Sequence, residues 1–170
     1  MHSTLTVEMG ARAELVFDLA RDVERWPSLL PHYVSVRVVG SRSSERPAVY
    51  RMVARRTFSQ LLGLGLPVTW QARAWSEPAN LRLRFVHVAG ATKGMDVTWQ
   101  IVAVEGGCRV SIEHDFRPRL PVLAVVVDRW FTRPIASHTL ATFKALAEAL
   151  TDAPPAIGES DDSPTTNPPT

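Results

Sequence analysis

Apolar and polar side chains alternate along three segments in the second half of the chain. Residues 81–87, 95–101 and 108–114 each place an apolar residue at every second position. Because side chains two apart share one face of a sheet, each segment is predicted to be a strand with one apolar face. The residues predicted on that face are Leu83, Phe85, His87, Met95, Trp99, Val110, Ile112 and His114. An apolar sheet face must be covered by another element.

Four further strands are predicted at residues 3–9, 34–38, 48–58 and 68–76. Helical spacing at residues 13–20 and a proline-bracketed turn at residues 26–31 predict two short helices after the first strand. Strands adjacent in sequence usually pair as neighbours. We therefore expect an α+β fold with a curved, seven-stranded antiparallel sheet and a long C-terminal helix.

The apolar segment at residues 122–150 is the large element that can cover this sheet. Pro134 is expected to kink or break it, because proline lacks an N–H and clashes with the preceding turn. We predict one helical section at residues 122–131 and a longer one at residues 135–150. The stripe predicted to lie on the sheet consists of Ile135, Thr139, Phe143, Leu146 and Leu150.

Charge and composition place the chain among ordinary globular domains. We expect one domain at residues 1–150 and a disordered tail, rich in Pro, Ser, Thr and Asp, at residues 151–170. The tail holds 4 of the 17 acidic residues and none of the 19 basic ones, so the domain carries 19 − 13 = +6. Its arginines fall at alternate strand positions among acids, which favours a solvated outer face over a nucleic-acid surface.

Other residue types bear on location and cofactors. The single cysteine, Cys108, falls on the predicted buried face, which favours a reducing compartment. The first residues lack the pattern of a signal peptide, and no apolar run is long enough to span a membrane. We therefore expect a soluble, cytoplasmic protein. Paired metal-ligand spacing and a phosphate-binding glycine pattern are both missing from the sequence, so we expect no metal and no nucleotide cofactor.

The most specific motif lies at residues 22–33, which read Asp-Val-Glu-Arg-Trp-Pro-Ser-Leu-Leu-Pro-His-Tyr. It is similar to the Asp-Val-Glu-x-Trp-Pro segment of polyketide aromatase/cyclases. Over about residues 3–150 the chain resembles the START-like (SRPBCC, helix-grip) superfamily, particularly its polyketide cyclase/dehydratase and quinone-binding branches. This resemblance implies a sheet that grips the last helix and leaves a hydrophobic cavity. The supporting positions are Gly94, Met95, Trp99, Asp115, Phe116, Lys144 and Glu148.

One departure from the cyclase pattern concerns the cavity. The resemblance implies a strand with Trp-x-x-x-Arg, whose arginine lies in the cavity and is implicated in catalysis. Here Ala74 stands four residues after Trp70, and the neighbouring Arg73 is expected to point to the opposite face. The polar position that the family has on its final helix is not evident near residues 133–137. Both departures predict a more apolar cavity and favour simple binding, or a cyclase with different catalytic groups.

Three residues are candidates for catalysis. His87 and His114 are predicted to point inward, where an imidazole could protonate a carbonyl or remove an acidic proton in an aldol ring closure. Alternatively, each is a hydrogen-bonded core or rim histidine. Tyr33 either donates to a ligand carbonyl or packs on Trp26, and Arg56 either supplies a cationic group or faces solvent. The candidate ligand-binding residues, which line the site or fill the core, are Trp26, Tyr50, Met52, Arg56, Trp70, Ala74, Phe85, Met95, Trp99, Ile112 and Phe143.

The segment at residues 61–67 is apolar where a polar loop is typical. We interpret it either as a gate, in which Leu61 to Leu66 contact a membrane or an acyl-carrier protein, or as a flap folded onto the core. The expected function is binding of a polyketide-like, aromatic or lipid-like molecule, with assistance to aldol cyclisation and dehydration by orienting the chain. The alternatives are a non-catalytic lipid or quinone carrier, or an interaction module that uses the arginine-rich face.

Overall fold

The structure is a computed structural model that describes residues 1–40, 47–59, 64–118 and 121–152. Inside its strands and helices, the side chains of residues 56–59, 64, 121 and 123 lie outside the description. Of the predicted tail, Thr151 and Asp152 belong to the last helix. The other residues of that tail, and Leu61 to Gly63 of the apolar segment, lie outside the described residues.

Within the described residues, seven strands form one antiparallel sheet, as the alternating pattern predicts. They are β1 (His2–Met9), β2 (Tyr33–Val38), β3 (Ala48–Ser59), β4 (Leu64–Glu77), β5 (Arg82–Gly90), β6 (Asp96–Val104) and β7 (Gly107–Asp115). The helices are α1 (Ala13–Arg21), α2 (Trp26–Leu29), α3 (Pro121–Val127) and α4 (Arg133–Asp152). The order of strands is β1-β7-β6-β5-β4-β3-β2, and the predicted α+β class is confirmed.

The two edge strands of the sheet, β1 and β2, are consecutive in sequence. Strands β2 to β7 pair with their sequence neighbours, whereas β1 pairs with β7 at the far edge. The chain therefore crosses the whole sheet between β1 and β2, and α1 and α2 make that crossing. In this way the motif at residues 22–33 is placed over one face of the sheet.

Burial alternates along the strands as the sequence predicts. In β7, Cys108, Val110, Ile112 and His114 are buried, while Arg109 and Glu113 are exposed. The inner face of the sheet thus consists of apolar and aromatic side chains with imidazoles among them, and the outer face is charged. Burying one face of an antiparallel sheet in this way requires a covering element.

The covering element is an uninterrupted helical run from Pro121 to Asp152, which contains a π-helical segment at Asp128–Thr132. The N–H of Arg133 donates to the carbonyl of Asp128, five residues earlier, immediately before Pro134. We predicted an interruption at Pro134, because proline cannot donate the hydrogen bond of a regular helix. The run is not broken there, because Pro134 lies inside α4; the regular geometry is interrupted earlier, by the π segment at Asp128–Thr132.

The buried stripe of α4 differs from the predicted one. Its buried residues are Ala136, Thr139, Leu140, Phe143 and Ala147. Leu150 is 48% exposed, so its predicted place on the sheet is wrong, and Ile135 and Leu146 are only partly buried. The prediction put large apolar residues against the sheet. The helix instead turns alanines inward, which lets it approach the first elements closely.

The C-terminal half of α4 is attached to the start of the chain by a charged pair. Lys144 Nζ donates to Glu148 Oε1 at 2.6 Å and to the carbonyl of Glu8 at 2.8 Å. Glu148 Oε1 also accepts from the N–H of Gly10 at 2.8 Å. These bonds fix α4 to the end of β1. None of the described helices is both long and apolar enough to cross a membrane.

The end of the apolar segment is a strand, contrary to the predicted loop. Strand β4 begins at Leu64, and residues 64–67 pair with β3, with Leu66 opposite Arg56 and Pro67 opposite Arg55. The pairing with β5 begins only at Trp70, so this part of β4 has β3 as its neighbour on one side. A proline is tolerated in such a strand because a missing N–H matters less where the ladder is one-sided.

Candidate functional site

A cavity lies between the inner face of the sheet and the helical run. It opens partly to solvent, its volume available to the centres of water molecules is about 90 Å³, and every strand except β1 contributes to its walls. Trp26 of α2 and residues 131–139 of the helical run close it on the other side. The polar side chains in its lining are Tyr33, His87, Thr92, His114, Thr132 and Thr139.

The cavity brings together all three candidates for catalysis and most of the candidate ligand contacts. These lining residues are Tyr33, His87, His114, Trp26, Met52, Trp70, Phe85, Met95, Trp99 and Ile112. Tyr50, Ala74 and Phe143 are buried in the core outside this lining. Arg56 lies in β3, but its side chain is outside the described part of the chain.

Depth explains why Phe143 does not line the cavity. Its ring is fully buried and packs edge-on against Trp99, with 5.7 Å between ring centroids, and against Trp26, with 6.1 Å. Phe143 therefore supports the two tryptophans from behind. Strand parity identifies the face of a residue, but it does not distinguish the layer that touches a ligand from the layer behind it.

Trp26 connects the motif at residues 22–33 to the cavity wall. Its indole Nε1 donates to the carbonyl of Ala20 at 3.0 Å, which fixes the ring as α2 begins. The ring lies 5.1 Å from that of Tyr33, edge-on, and 5.6 Å from that of Trp99. Aromatic rings prefer this geometry, so the cluster is a rigid wall.

Tyr33 both packs on Trp26 and faces the cavity, so the two sequence interpretations of its ring are compatible. Burial raises the pKa of the Tyr33 phenol, and a hydrogen bond with Thr139 opposes that rise. The phenol is therefore neutral at any physiological pH. It can donate a hydrogen bond to a ligand or accept one from it, but it cannot serve as a strong acid.

His87 is held between a threonine and a tryptophan. Its Nδ1 lies 2.6 Å from the hydroxyl oxygen of Thr92, and its ring stacks on Trp70 at 5.8 Å with 22° between planes. Trp70 pairs with Gly90, where an added Cβ would lie 2.8 Å from the carbonyl oxygen of Thr69. The glycine thus permits the close approach of β4 and β5 that sets this stack. Burial, and then the neighbouring charge of His114, lower the pKa of His87 to about 3.

His114 is 5% exposed, and its Nδ1 is buried without a hydrogen-bond partner among the described residues. Burial lowers the pKa of His114 to about 4, although the charge of Asp128 and a hydrogen bond to the Ser3 backbone act in the opposite direction. Both imidazoles of the cavity are therefore neutral near pH 7. Neutral imidazoles can donate or accept a hydrogen bond without bringing a charge into the apolar interior.

An aspartate in the π segment acts on the pKa of His114, and no sequence pattern indicated it. Asp128 Oδ1 accepts from the Ser3 hydroxyl at 3.0 Å, and its Oδ2 accepts from Arg133 Nε at 2.8 Å. Ser3 pairs with His114 across β1 and β7. Strand β1 begins at the start of the chain, whereas β7 and the π segment begin more than 100 residues later. Local sequence patterns therefore could not bring these residues together.

Thr139 supplies a polar position on the last helix that the sequence interpretation did not find near residues 133–137. Its hydroxyl donates to the carbonyl of Ile135 at 2.8 Å, so it must accept from His32 Nε2 at 2.9 Å. Nδ1 of His32 is then an acceptor, and it is buried without a partner among the described residues. Burial, followed by the charge of His138, lowers the pKa of His32 to about 4. The helical spacing places Thr139 in the stripe that faces the sheet but does not identify its hydroxyl as a polar group of the cavity.

The structure places Ala74 in the core outside the cavity lining. Ala74 is 9% exposed and pairs with Phe85 and Ala48, whereas Arg73 is exposed on the outer face. The cavity lining contains neither Lys, Arg, Asp nor Glu among the described residues. The site consequently offers aromatic walls and uncharged hydrogen-bonding groups, which suit an apolar molecule with a few polar atoms.

The family described as "Polyketide cyclase / dehydrase and lipid transport" matches residues 9–143. The chain belongs to this family. Its fold is similar to that of the Zhui aromatase/cyclase from a Streptomyces species, with a TM-score of 0.73 and 17% identity over 90% of this chain and 96% of the other. A START superfamily protein from Mycobacterium smegmatis gives a TM-score of 0.67 and 18% identity over 88% and 98% of the two chains.

The chain is also similar in sequence to a curated relative. The "Putative polyketide cyclase" of Streptomyces cyaneus is 24% identical over 124 residues, which are 71% of this chain and 77% of the relative. The resemblance predicted from residues 22–33 is thus confirmed at the level of family and fold. The family includes both cyclisation and lipid transport in its description, so membership leaves the reaction open.

Proposed function

We propose that this polyketide cyclase/dehydrase family protein binds a polyketide-like or aromatic molecule in its cavity and orients it for aldol cyclisation and dehydration. The observation that carries the proposal is the pair of neutral imidazoles, from His87 and His114, in a lining of apolar and aromatic side chains whose other polar groups are uncharged hydroxyls. A poly-β-ketone chain carries a carbonyl on every second carbon. Neutral imidazoles between apolar walls can form hydrogen bonds with those carbonyls while the walls contact the methylene groups.

The chemistry expected of these groups is mainly positional. Imidazoles whose pKa values are about 3 and 4 are poor proton acceptors at neutral pH, since general bases work best with a pKa near the working pH. They can nevertheless hold a carbonyl or an enol in one geometry. Thr92 engages Nδ1 of His87 and leaves Nε2 for the ligand. Holding two reacting carbons in contact is itself a large part of an intramolecular ring closure.

The test uses a reconstituted minimal polyketide synthase that releases an octaketide chain. Adding the wild-type protein is expected to shift the product mixture toward one ring pattern. The triple variant His87→Gln, His114→Gln, Tyr33→Phe removes the cavity groups and should return the mixture to the uncatalysed ratio. His2→Gln, a change at an exposed histidine of β1 outside the cavity lining, should behave as wild type. An unchanged product ratio with the triple variant would refute the catalytic proposal.

The second candidate is a non-catalytic carrier for a lipid or quinone. It is favoured by Ala74, which stands where the cyclase pattern has its arginine, and by the low pKa values of both cavity histidines. Native mass spectrometry of the purified protein would then show a bound apolar molecule, and the wild type would leave the polyketide product ratio unaltered.

Location and contacts belong to the same proposal. Cytoplasmic action is supported by Cys108, the single cysteine of the sequence, which is a free thiol as is typical of proteins in a reducing compartment. Contact of Leu61 to Leu66 with a membrane or an acyl-carrier protein is supported by Leu66, whose side chain is 49% exposed.

A further inference from the structure

Large apolar side chains project into solvent from α3 and the π segment that follows it. Val122 is 75% exposed, Val125 66%, Val126 42% and Trp130 49%. Their spacing of three, four and eight residues from Val122 puts them on one side of the helix. We call these four residues the α3 face.

The opposite side of α3 is apolar as well. Ala124 and Val127 are buried, with exposures of 5% and 2%. A helix that is apolar on both sides is normally enclosed by other structure, because an apolar outer side gains nothing from water. The α3 face therefore has the composition of a surface that is covered when the protein functions.

Arg129 gives the surroundings of the α3 face a net positive charge, because the second arginine, Arg133, is paired with Asp128 at 2.8 Å. Arg129 is exposed and lies four residues after Val125, on the same side of the helix. Arg133 follows at the end of the π segment, with 57% of its side chain exposed. The acid of this segment, Asp128, is 16% exposed and already accepts hydrogen bonds from Ser3 and Arg133. An anionic surface is the complementary occupant.

We propose that the α3 face docks on an anionic lipid bilayer. The valine side chains would enter the boundary between headgroups and acyl chains, and Arg129 would lie at the level of the phosphates. A two-turn face is small for a protein partner, since each side of a standard protein interface buries about 800 Å². A bilayer has no such minimum, because it accommodates a short amphipathic surface of any outline.

The π segment links this surface to the cavity. Phe131 and Thr132 line the cavity, while Trp130, in the same segment, is exposed. A protein docked through the α3 face would therefore hold one wall of its cavity next to the bilayer. This use of the surface rests on the proposed function as a binder of apolar molecules, whereas the docking itself can be measured without any ligand.

The experiment is co-sedimentation of the full chain with vesicles of phosphatidylcholine alone and with 30 mol% phosphatidylglycerol. The wild type should sediment with the anionic vesicles, and the double variant Val122→Ser, Val125→Ser should bind about tenfold more weakly. Val102→Ser is the matched control, because Val102 is 49% exposed on β6, outside the α3 face. Arg129→Gln should reduce binding to anionic vesicles severalfold, and Arg73→Gln, on the outer face of the sheet, should not.

Two results would overturn the docking proposal. One is a wild-type protein that stays in the supernatant with both kinds of vesicle. The other is a dimer in size-exclusion chromatography that the double variant abolishes, since the α3 face would then be a contact between two copies. Binding of 1,8-dihydroxyanthraquinone is measured in parallel. If the double variant no longer sediments with vesicles but still binds the anthraquinone, docking and cavity binding are separate properties. Failure of one proposal would then not refute the other.

Discussion

At the scale of single residues, buried histidines give this protein its most distinctive chemistry. His32, His87 and His114 are all held neutral by burial, with pKa values of about 4, 3 and 4. An unfolded imidazole has a pKa of about 6.5. Between these values the unfolded chain binds protons that the folded protein excludes, so the stability of the fold depends on pH.

We expect the free energy of unfolding to fall as the pH is lowered from 7 to 5. Below pH 6.5 the unfolded chain gains protons first, and the loss continues until the folded histidines titrate near pH 4. Each histidine contributes up to about 2 kcal/mol over this interval, at about 1.4 kcal/mol per pH unit below 6.5. Urea unfolding at pH 7, 6 and 5 measures the slope.

Removing one titrating group isolates the effect. His114→Gln should flatten the slope, because it deletes one of the three contributions. Val102→Ser, an uncharged change at a half-exposed position on β6, should keep the wild-type slope. Equal free energies of unfolding at pH 7 and pH 5 in the wild type would show that the imidazoles are not held neutral.

The face of the sheet on which a residue lies was predictable, because the two-residue period of a strand decides it. Parity along β5 and β7 put His87 and His114 on the inner face, and a one-residue offset put Arg73 outside and Ala74 inside. Asp128 was not predictable, because its contact with Ser3 spans 125 positions in sequence. Such a contact becomes visible only when the strand order is known.

At the scale of elements, Pro134 determines the form of the last helical run. The missing N–H removes one regular hydrogen bond, and the π segment at Asp128–Thr132 accommodates the loss. A wider turn has a functional consequence here. It faces Phe131 and Thr132 toward the cavity and Trp130 outward within three consecutive residues.

The rotation of α4 relative to the predicted stripe can be tested by two substitutions. Ala147 is fully buried, so Ala147→Leu should destabilise the protein by about 1–3 kcal/mol through overpacking. Leu150 is 48% exposed, so Leu150→Ala should cost less than about 1 kcal/mol. Thermal unfolding monitored by circular dichroism compares the two. A cost of 2 kcal/mol or more for Leu150→Ala would restore the stripe predicted from sequence.

Helix periodicity could not settle this rotation. Ile135, Thr139, Phe143, Leu146 and Leu150 form a stripe by spacing, but so do Ala136, Thr139, Leu140, Phe143 and Ala147. Hydrophobicity favours the first set, whereas close packing against β1 and α1 favours the small side chains of the second. The bonds from Lys144 and Glu148 to Glu8 and Gly10 then fix that orientation.

At the scale of the whole molecule, the arrangement of a seven-stranded sheet around a terminal helical run was predictable from sequence. Alternation predicted the strands, adjacency predicted the pairing from β2 to β7 but not that of β1 with β7, and residues 22–33 predicted the family. The contents of the space between sheet and helix were only partly predictable. Thr92, Phe131 and Thr132 line the cavity because of a turn and a π segment that no local period encodes.

The most direct test of a cavity that accepts a guest is to fill it. Isothermal titration with 1,8-dihydroxyanthraquinone compares the wild type with Ala136→Trp and Ala141→Trp. Both alanines lie on α4, but Ala136 lines the cavity and Ala141 is exposed. Ala136→Leu serves as a smaller change if the tryptophan prevents folding. We expect Ala141→Trp to bind as the wild type does, and Ala136→Trp to bind at least about tenfold more weakly. Equal affinity in a folded Ala136→Trp protein would contradict binding in this cavity.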